Sequence, residues 1–154
     1  MDMTIFGQIG LAMSFGLGAL GSALGIGAAG RAAAGAWAKE AREGKRLSFT
    51  YIILVSMPLT QTFYGFILAL VGIAPRLAVP ETAAAYGGML FSIGLAGGLA
   101  ELFSAWMQGV IGAAACRALS EGENKGLAFM IIAMGIAETV GIFGFVLGLL
   151  LLPK

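Results

Sequence analysis

The chain contains no histidine and a single cysteine, Cys116. The first absence excludes His-based acid–base catalysis and His metal sites. The second excludes an intrachain disulfide and leaves no partner for a thiolate metal cluster. Charge is equally scarce. Only 11% of the residues are Asp, Glu, Lys or Arg and 59% are hydrophobic, whereas a water-soluble domain carries about 25% charged residues. No basic residue lies between Lys125 and Lys154. The N-terminus reads Met-Asp-Met-Thr, with neither a basic stretch nor an obvious signal-peptidase site. The first apolar segment is therefore expected to be a retained span, not a cleaved signal.

What remains is apolar sequence in four long runs. Met3 to Gly30 and Leu47 to Pro75 are free of charge; Thr82 to Cys116 is broken only by Glu101, and Gly126 to Pro153 only by Glu138. Each run exceeds the roughly 20 residues that hydrocarbon requires. An all-α membrane protein of four transmembrane helices follows, with no room for a soluble catalytic domain. Arg31, Lys39, Arg42, Lys45 and Arg46 lie between spans one and two, and Arg117 and Lys125 between three and four; Arg76 and Lys154 are alone on the opposite side. The positive-inside rule then predicts both hairpin loops in the cytoplasm and both termini outside.

The two halves, 1–77 and 78–154, resemble each other. Aligned end to end, Met57 falls on Met134, Gln61 on Glu138, Thr62 on Thr139 and Phe66 on Phe143. Each half reads as a helical hairpin: a Gly-rich helix, a short basic loop, then a bulkier helix. Such repeats are common in transport proteins, with ion sites at the repeat interface. Helix one carries Gly16, Gly18, Gly21, Gly25, Gly27 and Gly30; helix three carries Gly94, Gly97, Gly98, Gly109 and Gly112. In lipid, small residues matter because they let backbones approach closely. They serve either tight packing inside one four-helix unit or a crowded inner circle in a ring of many copies; glycine on every face favours the ring. The GxGxxG-like spacings at Gly16–Gly18–Gly21 and Gly25–Gly27–Gly30 are not a dinucleotide fingerprint, since no soluble βαβ unit surrounds them.

Glu138 sits near the middle of the fourth span. An ionised carboxylate at the bilayer centre costs at least ~2.5 kcal/mol, so such a residue marks an ion, proton or ligand pathway. On helix two, Met57, Thr60, Gln61 and Tyr64 form one stripe at i, i+3, i+4 and i+7. Pro58 lacks an N–H and its ring pushes on the Leu54 carbonyl, which loosens the backbone and frees carbonyls. Gln108 on helix three can reach the same depth. One carboxylate among neutral oxygens, with no cation to pair, suits a dehydrated monovalent cation; the bland reading is an interhelical hydrogen-bond cluster worth under about 2 kcal/mol.

At this point the chain resembles a known family. P-x-T-Q-x-x-Y-G-F on helix two, Q-G on helix three and A-E-T on helix four are similar to the duplicated rotor proteolipid of V/A-type rotary ATPases, subunit K or c, in its sodium-binding branch. The resemblance covers essentially the whole chain. It implies two tandem hairpins assembling into a homo-oligomeric membrane ring, with Glu138 as the essential ion-carrying carboxylate. It implies Gln61, Thr60, Gln108 and the Met57 carbonyl as Na+ ligands, and Tyr64 as the hydroxyl that closes the site by bonding to Glu138. Leu59 departs from the glycine that relatives often have there. Implied partners are identical subunits, a stator membrane subunit bearing an arginine, central-stalk subunits on the cytoplasmic loops, and membrane lipids, with no nucleic acid and no organic cofactor. The setting is a prokaryotic cell membrane. The subunit is not itself the hydrolase. Because Gln61 stands where the second half has Glu138, one ion per duplicated hairpin pair is expected, an arithmetic that favours ATP-driven pumping without excluding synthesis. The alternatives are the same rotor coupled to H+, or a small four-helix exporter or pore-forming proteolipid.

Glu101, seven residues before Gln108, lies two turns away on the same face, roughly 10 Å nearer the outside. The favoured expectation is a neutral carboxyl bonded to Ser104 or a neighbouring backbone; an outer way-station for the ion and a group facing the ring lumen stay open. Trp37 is expected to anchor at the cytoplasmic interface, and Trp106 to pack between helices. The basic loop 39–46 reads as a topology signal, a lipid contact or the stalk-docking surface.

Overall fold

A computed structural model describes residues 2–154 as four long helices: α1 (Met3–Arg42), α2 (Thr50–Leu77), α3 (Pro80–Glu121) and α4 (Leu127–Leu150). All four are long and apolar enough to cross a membrane, and no strand occurs among the described residues. Helices α1 and α3 continue well past the expected apolar runs. The segment after Gly30 is rich in alanine, the strongest helix former, and Lys39 and Arg42 lie in the last turn of α1 where they face its negative end. Gly44, at φ +67°, then ends the element. Between α2 and α3 the chain turns over two residues, with Val79 extended and Pro80 opening α3, the position where a missing N–H costs nothing.

Helices α1 and α3 run side by side and make the closest contact in the bundle. A Cβ on Gly21 would lie 2.5 Å from the Leu102 backbone, and one on Gly10 would lie 2.6 Å from the Phe91 Cα. The backbones touch because nothing stands between them. Helix α2 packs over α1, and α4 over α3. The outer face of α4 presents Phe129, Ile132, Ile136, Val140, Phe143, Leu147 and Leu150, each more than half exposed. That helical stripe of large apolar groups is suited to lipid.

Two apolar clusters close the ends of the bundle. Tyr51, Leu54, Cys116, Leu119 and Met134 pack near the hairpin loops; Leu68, Ile73, Leu90, Ile93 and Leu152 pack near the chain termini. Between them lies a polar belt, and α2 is irregular there. It tightens to a 3-10 turn over Met57–Leu59 at Pro58 and widens to a π-turn over Leu68–Ile73. At the terminal end Arg76 donates to the Gly72 and Pro153 carbonyls, tying α2 to the end of the chain.

The first hairpin loop is held by a clasp that the sequence does not announce. Glu40 is buried; its Oε1 accepts from the Tyr51 hydroxyl at 2.9 Å and its Oε2 from the Ser48 N–H at 2.9 Å. Trp37 donates to the Ser48 carbonyl at 2.8 Å and meets Tyr51 edge to face, so it fastens the loop. Glu40→Ala leaves the Tyr51 hydroxyl without its acceptor inside the bundle, which costs about 1–3 kcal/mol. The variant is expected to unfold at lower temperature in detergent, followed by circular dichroism, without loss of ion binding.

Candidate ion-binding site

The polar belt is built from all four helices. On α4, one step from the lipid-facing stripe, Glu138 is partly buried. Tyr64 of α2 donates its hydroxyl to Glu138 Oε1 at 3.1 Å, and Gln108 of α3 donates Nε2 to Oε2 at 3.3 Å. Each carboxyl oxygen therefore accepts one hydrogen bond from a neighbouring helix. Gln108 Nε2 also reaches the Met134 carbonyl at 3.3 Å, while its Oε1 is buried with no hydrogen-bond partner. Tyr64 is backed by Phe145, stacked at 5.4 Å, which steadies the ring.

A second group of oxygens sits on α2. The Thr60 hydroxyl lies 3.1 Å from the Met57 carbonyl and 3.0 Å from Gln61 Oε1. Gln61 is fully buried and donates Nε2 to Ser104 Oγ at 3.1 Å; Ser104 in turn donates to the Ala137 carbonyl at 2.9 Å. Glu138, Tyr64 and Gln108 thus converge directly. Met57, Thr60 and Gln61 form a neighbouring cluster, joined to α4 through Ser104 at the residue preceding Glu138. No hydrogen bond among the described residues links the Thr60 cluster to the carboxylate itself.

Serines of α1 hold the irregular part of α2 in place. Ser22 donates to the Pro58 carbonyl at 2.6 Å and accepts from Thr62 at 2.7 Å; Ser14 donates to the Gly65 carbonyl at 3.0 Å. These bonds satisfy α2 backbone oxygens that would otherwise be costly in lipid. The sequence reading does not single out Ser14 and Ser22, because a lone serine in a glycine run reads as a small packing residue. Their spacing of about two helical turns is the available signal.

Glu101 departs from its favoured expectation. It is fully buried, and neither carboxyl oxygen has a hydrogen-bond partner. Ser104, its expected partner, is taken up by Gln61 and Ala137. Trp106 also differs within this chain: it is 42% exposed beside Phe103 and not packed between the chain's own helices.

The sequence pattern of the family described as the ATP synthase C subunit matches residues 9–71 and again residues 91–151. The chain belongs to the ATP synthase C-subunit family. The first match lies in the α1–α2 hairpin and the second in the α3–α4 hairpin, so the family's unit occurs twice. The chain is also 32% identical over 155 residues to the A-type ATP synthase subunit K of Methanocaldococcus jannaschii, an alignment covering 99% of this chain. It spans 64% of that relative's length. Both halves of this family member place a polar residue at the same level of the outer helix, Gln61 in α2 and Glu138 in α4. Only the second is an acid.

Proposed function

We propose that the chain is one copy of the membrane rotor ring of an A-type, V-related ATP synthase or ATPase, and that each copy carries one Na+ on Glu138. It is a transport subunit and not an enzyme; nucleotide chemistry belongs to cytosolic partners that turn the ring. Membership of the C-subunit family and likeness to a subunit K support the rotor role. The ring is supported by glycines with no counterpart inside the chain: Gly16 and Gly35 of α1 have nothing within 4 Å of where a side chain would begin. Second copies laid against these open positions would explain them.

The observation that carries sodium is the buried, unpartnered Oε1 of Gln108 beside a carboxylate whose two oxygens already accept donors. A proton satisfies one acceptor. A small alkali cation satisfies several, and Gln108 Oε1, Glu138, Gln61 Oε1, the Thr60 hydroxyl and the Met57 carbonyl supply hard oxygens of the kind it prefers. The complex of one carboxylate with one monovalent cation is neutral, which lipid tolerates. Tyr64 holds Glu138 in place while the copy faces hydrocarbon. Passage beside a stator arginine would compete for Glu138, release the ion, and let the site reload from the other side. The basic loop end then faces the cytoplasm of a prokaryotic cell, available to a central stalk, and both termini face outside.

The test uses a hydrophobic carbodiimide, which attacks only a protonated, lipid-accessible carboxyl. Sodium is expected to protect Glu138 in the purified ring near neutral pH. Tyr64→Phe or Gln61→Ala, each removing a hydrogen bond worth about 1–1.5 kcal/mol, is expected to raise the protecting sodium concentration about tenfold. Full labelling in high sodium would replace sodium by a proton in the same rotor. A purified dimer, in place of a particle with high rotational symmetry, would favour a small exporter instead.

A further inference from the structure

Glu101 is the buried acid that the single-ion cycle leaves without a task. Its side chain lies between two glycines of neighbouring helices. On one side, a Cβ built on Gly141 of α4 would stand 2.6 Å from Glu101 Oε2 and 3.1 Å from Ser104 Oγ. On the other, a Cβ on Gly18 of α1 would stand 3.4 Å from the Glu101 Cβ and 2.9 Å from the Gln61 carbonyl oxygen. A larger residue at Gly141 would press on the carboxyl, and one at Gly18 on the Gln61 carbonyl beside it.

No counter-charge reaches it from the protein. The two ion pairs among the described residues, Lys45–Glu43 and Lys125–Glu123, are both in the hairpin loops. Both Glu101 oxygens are fully enclosed and lack a donor. A buried polar group without partners is rare in a folded protein and marks strain, function or an absent ion. Around the Gly141 position Glu101 Oε2 meets the Ser104 hydroxyl, which retains a free lone pair after its bonds to Gln61 and Ala137, together with the Gln61 side-chain stem. An enclosed carboxyl with no donor on either oxygen, next to a hydroxyl with a lone pair to spare, has the composition of a cation site.

We propose that Glu101, with the Ser104 hydroxyl, forms a second monovalent-cation position beside Gly141, one helical turn from Glu138 toward the terminal end of the bundle. It rests on the sodium reading of the Glu138 site and takes the same ion. Glu101 is a ligand here and not a structural filler, and Gly141 is small because the ion and acid need the room. The chain then holds two ions where the pairing of Gln61 with Glu138 suggests one.

Equilibrium binding of radioactive sodium to the purified, assembled ring, counted per chain, tests this. Two ions per chain are expected for the unmodified protein and one for Glu101→Gln, which keeps the shape and removes the charge. Gly141→Ala keeps both carboxyls in the chain but crowds Glu101 Oε2 with a Cβ at 2.6 Å, and is also expected to bind one, so the count can be read even where the Gln variant fails to assemble. One ion per chain in the unmodified ring, or two retained in Glu101→Gln, overturns the second position and leaves the Glu138 site standing. No bound sodium in any of them removes both.

Discussion

Replacing Glu138 by glutamine is expected to reduce sodium transport to background while leaving the bundle folded. The amide has the size of the acid and can still accept from Tyr64 or Gln108, which now reach Glu138 at 3.1 Å and 3.3 Å. Packing therefore survives. What disappears is the charge that, in the proposed sodium site, neutralises the cation, and an uncompensated charge at the bilayer centre costs at least ~2.5 kcal/mol and by some estimates more than 10. Even the lower figure corresponds to a loss on the order of a hundredfold in affinity. The measurement is ATP-driven uptake of radioactive sodium by vesicles holding the reconstituted complex, with circular dichroism to verify the helices. Glu138→Asp keeps the charge on a shorter arm and is expected to retain partial uptake. Undiminished uptake by the Gln variant would mean that another group carries the ion.

The second large effect is expected at Gly109. A side chain there meets the Gly25 backbone, and a Cβ on Gly25 would in turn stand 2.8 Å from the Pro58 Cβ. Overpacking a core costs about 1–3 kcal/mol where side chains can move aside. Here the obstacle is main chain on both sides, so the only relief is separation of α1 from α3 along their shared length. That separation would also carry away Ser22, which holds the Pro58 carbonyl and Thr62 on α2. Gly109→Val is expected to give chains that are helical by circular dichroism but form no stable particle in mild detergent, read by size-exclusion chromatography. Gly109→Ala is expected to assemble with a lowered thermal midpoint. A Val variant that assembles normally would refute the backbone contact.

Much of this arrangement is legible in the residues because lipid penalises unsatisfied groups so strongly. Glu138, Gln108 and Tyr64 can be brought together from their depth in three spans, and the structure joins them by hydrogen bonds. Depth, however, is only one coordinate. Which face a side chain takes depends on helix rotation, which the pattern of α3 hardly specifies because glycine occurs all round it. Sequence spacing therefore offers Ser104 as a partner for Glu101, whereas Ser104 is turned toward Gln61 and Ala137. Trp106 faces outward for the same reason. Hydropathy understates the lengths of α1 and α3 because it falls where charge begins, while alanine carries the helix onward to Arg42 and Glu121. The Glu40 clasp is hidden in what reads as a run of loop charges.

That clasp has a mechanical consequence. Seven residues of connection, Glu43 to Phe49, would by themselves be compliant and would absorb a push applied at their tip. Pinned through Ser48 to Glu40 and braced by Trp37 and Tyr51, the segment becomes a stiff lever continuous with two helices. A twisting load delivered at Arg46 is then borne by the body of the subunit, and little of it is spent in bending the hinge.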